Sequence, residues 1–470
     1  MKADKAKELL YKPKLFWEKA DRKSLKKVTE YAETYKTFLD MCKTVRETVA
    51  TSENLLKSNN FNSIYTTKGK KAVYGIHRGK NLAAARFGEK PVSEGVNVVV
   101  AHIDSPRIDL KQNPLYEDMN TNLGMLRTHY YGGIRKYQWF STPLALHGVV
   151  IDKKGGIINV SIGEKEDEPV FVIPDLLPHL AQKEQGSKKI GEAHTAGKMN
   201  VIFNSIPIPP ESEKSIKQAV KTQALVLINE LYGIEEKDLL SAELELVPAG
   251  KARDLGLDRS MVLGYGQDDR ICTFAAMQAI LEVSKPDRTV IVLLVDKEEV
   301  GSRGNTGADS VFLEDFVADL LAYNGEATDN NTLRKTLIRS HILSADVNVA
   351  VNPNFPDVHE LQNAAVLGKG VNITKFTGTG GKKNSNDANP EFLAEVLRAF
   401  NADGVNWQMG ELGKVDEGGG GTVAMFFARY GAEVLDCGTP LISMHAPYEI
   451  CSKADLYSTG EAYKSFMLRV

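Results

Sequence analysis

Cysteines are few in this sequence, and they are scattered. No CxxC pair occurs among the four in 470 residues, which are Cys42, Cys272, Cys437 and Cys451. Disulfide frameworks and zinc-thiolate sites depend on clustered cysteines, so this spacing favours reduced thiols in a cytoplasmic protein. Any bound transition metal is therefore expected to use nitrogen and oxygen ligands.

Other absences narrow the class of function. No apolar run approaches the ~20 residues that a membrane helix needs, and the charged N-terminal segment lacks the apolar stretch of a secretory leader. The net charge of -3 provides no basic surface for nucleic acid. We expect a cytoplasmic globular protein without membrane or nucleic-acid partners.

The periodicity of apolar residues changes along the chain and predicts an α/β protein with an insert. Helical spacing marks residues 1–58, and helices alternate with apolar strands after residue 255. Residues 105–255 hold short strand-like pieces, punctuated by Gly and Pro, and one helix. We therefore expect a mixed-sheet αβα sandwich as the catalytic domain, formed by residues 1–104 and 256–470, and an inserted β-rich domain formed by residues 105–255.

Three local patterns make specific structural predictions. The segment "RSHILSADVNVAV" predicts one strand, and "EVLDCGTPLISMHAP" supplies the last strand or strands, with "LISMH" ending at His445. The segment "NPEFLAEVLRAFNADG" predicts a helix that is capped by Asn389 and has Pro390 in its first turn.

Side chains of the types that can bind metals follow the apolar strands. They are His102 and Asp104 in "AHID", Asp268 and Asp269 in "QDD", Glu298 and Glu299 in "KEE", Asp346 in "LSAD", and His445 in "SMH". Open α/β sheets place their sites beyond the carboxyl ends of the strands. Imidazole and carboxylate groups are the ligands of zinc, manganese and cobalt. Taken as one ligand from each of the five strand or turn ends, two histidines and three carboxylates exceed the needs of one zinc and suit two ions that share a carboxylate, the arrangement of aminopeptidases.

Two pairs within this set predict a division of roles. Asp104 lies two residues after His102 on one strand face, where it can fix the tautomer of the imidazole. Glu299 is expected to bind a metal, while Glu298 takes a proton from the bridging water and delivers it to the leaving amine. A metal-bound carboxylate is a poor base, so the two roles need two residues.

Each of these signals also has an ordinary structural explanation. A lone histidine at a strand end is usually structural, a Glu-Glu pair usually lies in a solvated loop, and an Asp before a helix is usually an N-cap. Their joint occurrence on one type of sheet favours a metal site. The glycine-rich segment "TGTGGKKNS" lacks the first glycine and the Ser or Thr of a phosphate loop.

The ordered motifs carry a family resemblance. "AHIDSPR", "QDDR", "DKEEVGS", "LSADVNVAVNP" and "ISMHAPYE" resemble those of the aspartyl aminopeptidases, metallopeptidase family eighteen of the di-zinc aminopeptidase clan. "YYGGIRKYQWF" and "IPDLLPHLAQ" in the insert are similar to that family too. The resemblance covers nearly the whole chain.

The resemblance implies a zinc-dependent aminopeptidase that holds two Zn²⁺ ions per subunit, with Co²⁺ or Mn²⁺ as alternatives. It makes His102 and Asp346 terminal ligands of one ion, Glu299 and His445 terminal ligands of the other, and Asp268 the bridge. Glu298 would be the general base, and Asp104 would orient His102.

The resemblance also implies self-association through the inserted domain. That domain would form dimers, which assemble into a hollow dodecamer, and His179 would reach the site of a neighbouring subunit. Peptides would be the substrates, with an N-terminal Asp or Glu as the family's preference.

The sequence departs from the family pattern at Ile103 and Asp269, where Thr and Asn are more common, and between residues 368 and 421. Arg107, Lys382 and Lys383 are the candidate partners of an acidic side chain. Two alternatives stay open: a co-catalytic-metal deacylase or amidohydrolase acting on small amides, and a non-catalytic assembly relative.

Overall fold

Residues 9–209 and 217–470 are described by the computed structural model, in which the chain divides into two units. The first unit comprises Met1–Asp104, Ala252–Met444 and Glu449–Val470, and the second comprises Ser105–Lys251 and His445–Tyr448. Residues 445–448, near the C-terminus, thus belong to the second unit. The sequence prediction placed them in the catalytic domain. Every helix in the described residues is too short or too polar to span a bilayer.

The first part of the chain forms two capped helices and four strands. The side chain of Asp21 accepts the N–H of Ser24 at the start of the first helix, and Thr44 and Glu47 form a capping box at the start of the second. The elements are α1 (Arg22–Met41), α2 (Val45–Ser58), β1 (Asn62–Ser63), β2 (Ala72–His77), β3 (Asn81–Arg86) and β4 (Val96–His102).

The second unit is built on an antiparallel sheet of six strands. Its elements are β5 (Arg107–Asp118), β6 (Leu123–Tyr131), β7 (Leu144–Ile151), β8 (Ile157–Ile162), α3 (Pro178–Glu184), α4 (Ile190–Ala193), β9 (Val201–Asn204), α5 (Ala219–Tyr232) and β10 (Glu243–Pro248). The strand order is β8-β7-β10-β5-β6-β9. The β-rich insert of the predicted fold class is confirmed, and its role in dimerisation stays a prediction.

The remainder of the chain completes the first unit. Its strands are β11 (Arg253–Leu255), β12 (Met261–Gly264), β13 (Thr289–Val295), β14 (His341–Ser344), β15 (Asn348–Val349), β16 (Val371–Thr374), β17 (Trp407–Met409), β18 (Glu433–Gly438), β19 (Pro440–Ile442) and β20 (Glu449–Ser452). Its helices are α6 (Gln267–Glu282), α7 (Phe312–Tyr323), α8 (Asn330–Ile338), α9 (Pro390–Asp403), α10 (Ala424–Ala428) and α11 (Lys453–Arg469).

A nine-stranded mixed sheet organises the first unit. Its order is β1-β2-β3-β13-β4-β14-β18-β16-β17. The central strands β13, β4, β14 and β18 are parallel neighbours, so their carboxyl ends lie at one edge of the sheet. A second sheet has five strands in the order β11-β12-β20-β19-β15.

Alternate residues of the central strands enter two separate cores. On β4, Val99 and Ala101 pack in the core that also contains residues of α1, α2, α6, α9 and α11. Val98 and Val100 pack in the core that contains residues of α7, α8 and α10. Because successive side chains of a strand point to opposite faces, helices cover both faces of the sheet. The predicted mixed-sheet αβα sandwich is confirmed.

The prediction of one continuous strand over "RSHILSADVNVAV" is wrong. The chain leaves the nine-stranded sheet after β14 and joins the five-stranded sheet at β15, so Asp346 lies between two strands. The strand predicted to end at His445 also ends earlier, at Ile442. Ser443 and His445 have φ values of 61° and 63°, and this left-handed conformation cannot continue a strand.

The predicted cap of α9 is wrong as well. The helix begins at Pro390, but the side chain of Asn389 makes no capping hydrogen bond. Its Nδ2 instead donates to the carboxylate of Glu433, at 3.0 and 3.1 Å.

Candidate metal centre

His102 ends β4 and faces carboxylates from both ring nitrogens. It is 1% exposed. Its Nδ1 lies 3.0 Å from the backbone oxygen of Asp104 and 3.4 Å from Oδ1 of that residue. Its Nε2 lies 3.1 Å from Asp268 Oδ1 and 3.7 Å from Asp346 Oδ1. Since Nδ1 faces only acceptors, it carries a proton. A second proton on Nε2 is held by the other two carboxylates, and its loss would leave a lone pair there for a metal ion.

Asp104 anchors the turn that carries the two glutamates. Its Oδ1 accepts the backbone N–H of Glu298 at 3.1 Å, and its Oδ2 accepts that of Glu299 at 3.2 Å. Lys297, directly before them, has a φ of 70°, which turns the chain sharply after β13. The Asp104 carboxylate orients this turn and lies 3.4 Å from His102 Nδ1, while its role in fixing the imidazole tautomer stays a prediction.

Asp268 lies at the start of α6, where helical geometry is interrupted. Asp268 and Asp269 have non-helical backbone angles and are joined by a cis peptide bond. The N–H of Asp268 donates to Oε2 of Glu449 at 3.1 Å. The first turn of α6 therefore presents the Asp268 side chain towards His102.

Two overlapping groups of donor atoms meet at this edge of the sheet. The first comprises His102, Asp268 and Glu299, and the second comprises His102, Asp269 and Asp346. Within each group the donor atoms lie within 4.8 Å of one another. One imidazole nitrogen surrounded by carboxylate oxygens is a donor set that suits zinc, cobalt or manganese. The chemistry of these residues thus fits the metal that the family resemblance implies.

The electrostatics of the cluster also favour a cation. Burial is the main cause that raises the pKa of Glu298 to about 8; His102 opposes the shift, and the charges of Asp346, Asp268 and Asp104 add to it. Burial likewise raises the pKa of Asp346. A divalent ion would replace protons as the counter-charge of these carboxylates.

Zinc binding is therefore expected to release protons at pH 7. Burial alone would lower the pKa of His102, but hydrogen bonds to three carboxylates raise it well above its usual value. His102 and Glu298 both hold a proton below their raised pKa values, and a nearby cation expels it. The zinc affinity should rise with pH, by about tenfold per pH unit for each proton released. Calorimetric titrations in two buffers of different ionisation enthalpy measure the number of protons released on zinc binding. A value of zero would contradict the description of the cluster.

His179 and His445 both belong to the second unit, although His445 was predicted to lie at a strand end of the catalytic domain. His445 is half-buried, and its Nδ1 lies 2.9 Å from the backbone oxygen of Gly133. Nδ1 is therefore the donor, and in a neutral ring Nε2 retains its lone pair for a ligand. His179 is exposed, next to Pro178 at the start of α3. The roles predicted for both residues stay predictions.

Two of the three candidate partners of an acidic substrate side chain, Lys382 and Arg107, contact carboxylates within their own units. Lys382 Nζ lies 2.8 Å from Asp387 Oδ2. Arg107 Nε lies 2.8 Å from Asp109 Oδ1 and 3.1 Å from Glu245 Oε2.

Two further buried acids lie at this site: sequence reasoning named Asp269 beside Asp268 but gave it no role, and it did not single out Glu449. Asp269 is 0% exposed, and neither of its carboxylate oxygens has a nitrogen or oxygen donor in the part of the chain described here. It stands beside Asp268 in "QDDR", but adjacency did not show that its donor atoms also approach His102. Glu449 ends the motif "ISMHAPYE", and no spacing rule pairs it with Asp268, which lies 181 residues away.

Comparisons with known proteins identify the family of this chain. A family model described as Aminopeptidase I zinc metalloprotease (M18) matches residues 38–467. A probable M18 family aminopeptidase 1 from Clostridium acetobutylicum is 49% identical over 467 residues, covering 98% of this chain and 99% of that protein. Vacuolar aminopeptidase 1 of Saccharomyces cerevisiae is 30% identical over 406 residues, covering 83% of this chain and 76% of that protein.

The fold agrees as well. The crystal structure of an M18-family aminopeptidase from Thermotoga maritima has a TM-score of 0.93 at 42% identity, covering 98% of this chain and 100% of that chain. The resemblance to metallopeptidase family eighteen is thereby confirmed. The chain belongs to the M18 family of zinc metalloproteases, the aminopeptidases of the aminopeptidase I type.

Proposed function

We propose that this protein removes single N-terminal residues from peptides, using a pair of zinc ions held by its own carboxylates and imidazoles. The observation that carries the proposal is the pair of partly buried donor groups that share His102 at the carboxyl edge of the nine-stranded sheet, one with Asp268 and Glu299 and the other with Asp346. A deacylase would use similar ligands, and the family membership favours the peptidase.

The ligands divide into two sets that share one carboxylate. His102 and Asp346 would hold one ion, Glu299 and His445 the other, and Asp268 would bridge them. The closeness of Asp268 and Asp346 to the same nitrogen of His102 supports the first set. The Nδ1 contact of His445 with Gly133 is consistent with the second, because an imidazole that donates from Nδ1 binds a metal through Nε2.

The chemistry then rests on Glu298. Bound zinc ions supply Lewis-acid polarisation of the scissile carbonyl and lower the pKa of a water molecule. The carboxylate of Glu298 takes a proton from the attacking water and passes it to the nitrogen of the leaving amine as the peptide bond breaks. Asp104 holds this glutamate in place through its backbone N–H. Glu299 is the residue whose donor atom joins the His102 and Asp268 group, which supports the division of roles between the two glutamates.

The second unit offers a surface for self-association. Leu176, Leu177 and Leu180 are 42%, 52% and 59% exposed around His179. A second copy of the chain would cover these apolar side chains and bring His179 close to another subunit. A dimer is the smallest assembly of this kind, and the dodecamer stays a prediction.

A panel of substrates tests the proposed activity. We expect the zinc-loaded protein to hydrolyse peptides and aminoacyl anilides with a free N-terminus and to leave the N-acetylated forms of the same compounds intact. Release of acetate from N-acetyl amino acids, without hydrolysis of the free peptides, would instead establish the deacylase. The panel includes N-terminal Asp, Glu, Leu and Lys, because two of the candidate acid-binding side chains already contact carboxylates of this chain.

A further inference from the structure

A buried glutamate outside the ligand set contacts the backbone of the bridging ligand. Glu449 is 1% exposed and begins β20, where it pairs with Gly264 of β12. From this register its carboxylate reaches the turn that leads into α6. Oε2 of Glu449 accepts the N–H of Asp268 at 3.1 Å.

A second contact joins the same two elements. Nε2 of Gln267 donates to the backbone oxygen of Glu449 at 2.6 Å, and Oε1 of Gln267 accepts from the hydroxyl of Tyr35 at 3.3 Å. Gly266 has a φ of 71°, a conformation that glycine adopts readily. The turn into α6 is therefore held from β20 through a side chain and through the backbone.

The arrangement repeats one already seen in the site. Asp104 accepts the backbone N–H groups of Glu298 and Glu299, and Glu449 accepts that of Asp268. In both places a buried carboxylate outside the donor groups accepts a backbone N–H, and the residue that donates, Glu299 or Asp268, supplies a donor atom from its own side chain. Such partners of metal ligands typically change metal affinity by about 10- to 100-fold when they are removed.

We infer that Glu449 is a positioning residue for Asp268. Through its hydrogen bond to the Asp268 N–H, Glu449 sets the affinity of the centre for both metal ions. The inference rests on the proposed function, in which Asp268 bridges the ions. It predicts that removing this hydrogen bond weakens the binding of both ions, because a displaced Asp268 carboxylate would be misplaced for each of them.

Two conservative variants separate the hydrogen bond from the charge. Glu449→Gln keeps an oxygen at the same reach and removes the charge, so it should retain zinc affinity close to the wild-type value. Glu449→Asp keeps the charge and withdraws the oxygen by one methylene, so it should weaken both binding steps by about 10- to 100-fold. Competition titrations with a zinc chelator measure both steps, and the visible spectrum of the Co²⁺-loaded proteins reports the coordination geometry.

The outcomes are distinct. Wild-type affinity in Glu449→Asp, or equal losses in both variants, would overturn the inference. If neither variant is folded by circular dichroism in the metal-free state, Glu449 has a general structural role and the inference is also overturned. A wild-type protein that binds fewer than two ions would instead contradict the proposed function, independently of the variants.

Discussion

Glu298→Gln should retain its metal ions and lose nearly all turnover. The amide keeps the size of the side chain and leaves the backbone N–H that donates to Asp104 unchanged. It cannot accept a proton from water, so the general-base contribution of about 10²- to 10⁴-fold in kcat is lost. Steady-state kinetics on a peptide substrate, with metal content measured on the same sample, test this expectation.

A second Glu-to-Gln substitution, made away from the site, is the control for Glu298→Gln. Glu391 is an exposed residue in the first turn of α9, and Glu391→Gln should leave kcat and metal content unchanged. If Glu298→Gln kept most of its activity, another group would have to be the base. If it lost metal as well, Glu298 would be a ligand rather than the base.

His102→Ala should lose one of the two ions and most of the activity. The imidazole is buried, and it is the only nitrogen among the donor atoms that the described residues of the first unit bring together. A bound cation supplies several kcal/mol of transition-state stabilisation, and each ~1.4 kcal/mol is a factor of ten in rate. The expected decrease in kcat is therefore about 10³-fold or more.

Metal content per chain and kcat measured together check this result. His129 is exposed on β6, and His129→Ala is the control, which should keep both quantities. Full metal content in His102→Ala would show that His102 is not a ligand.

The parts of the fold that apolar periodicity governs could be predicted from the sequence. The runs that became β4 and β13 are buried along their whole length, and each ends where polar side chains begin, so the positions of His102 and Glu298 followed. The sandwich and the β-rich insert followed from the change of period along the chain.

Long-range choices of partner could not be predicted. The break after β14 depends on Asn348 joining β19 of another sheet, and the side chain of Asn389 prefers Glu433 to its own helix. The contact of Glu449 with Asp268 depends on the pairing of β20 with β12. Each of these pairings is set by tertiary packing, which local sequence patterns do not encode.

Diffraction at the zinc absorption edge from crystals of the zinc-loaded protein tests the central claim most directly. The account predicts two anomalous peaks per chain, about 3.5–4 Å apart, with the carboxylate of Asp268 between them and His102 beside one of them. A single peak, or peaks away from Asp268, would contradict it.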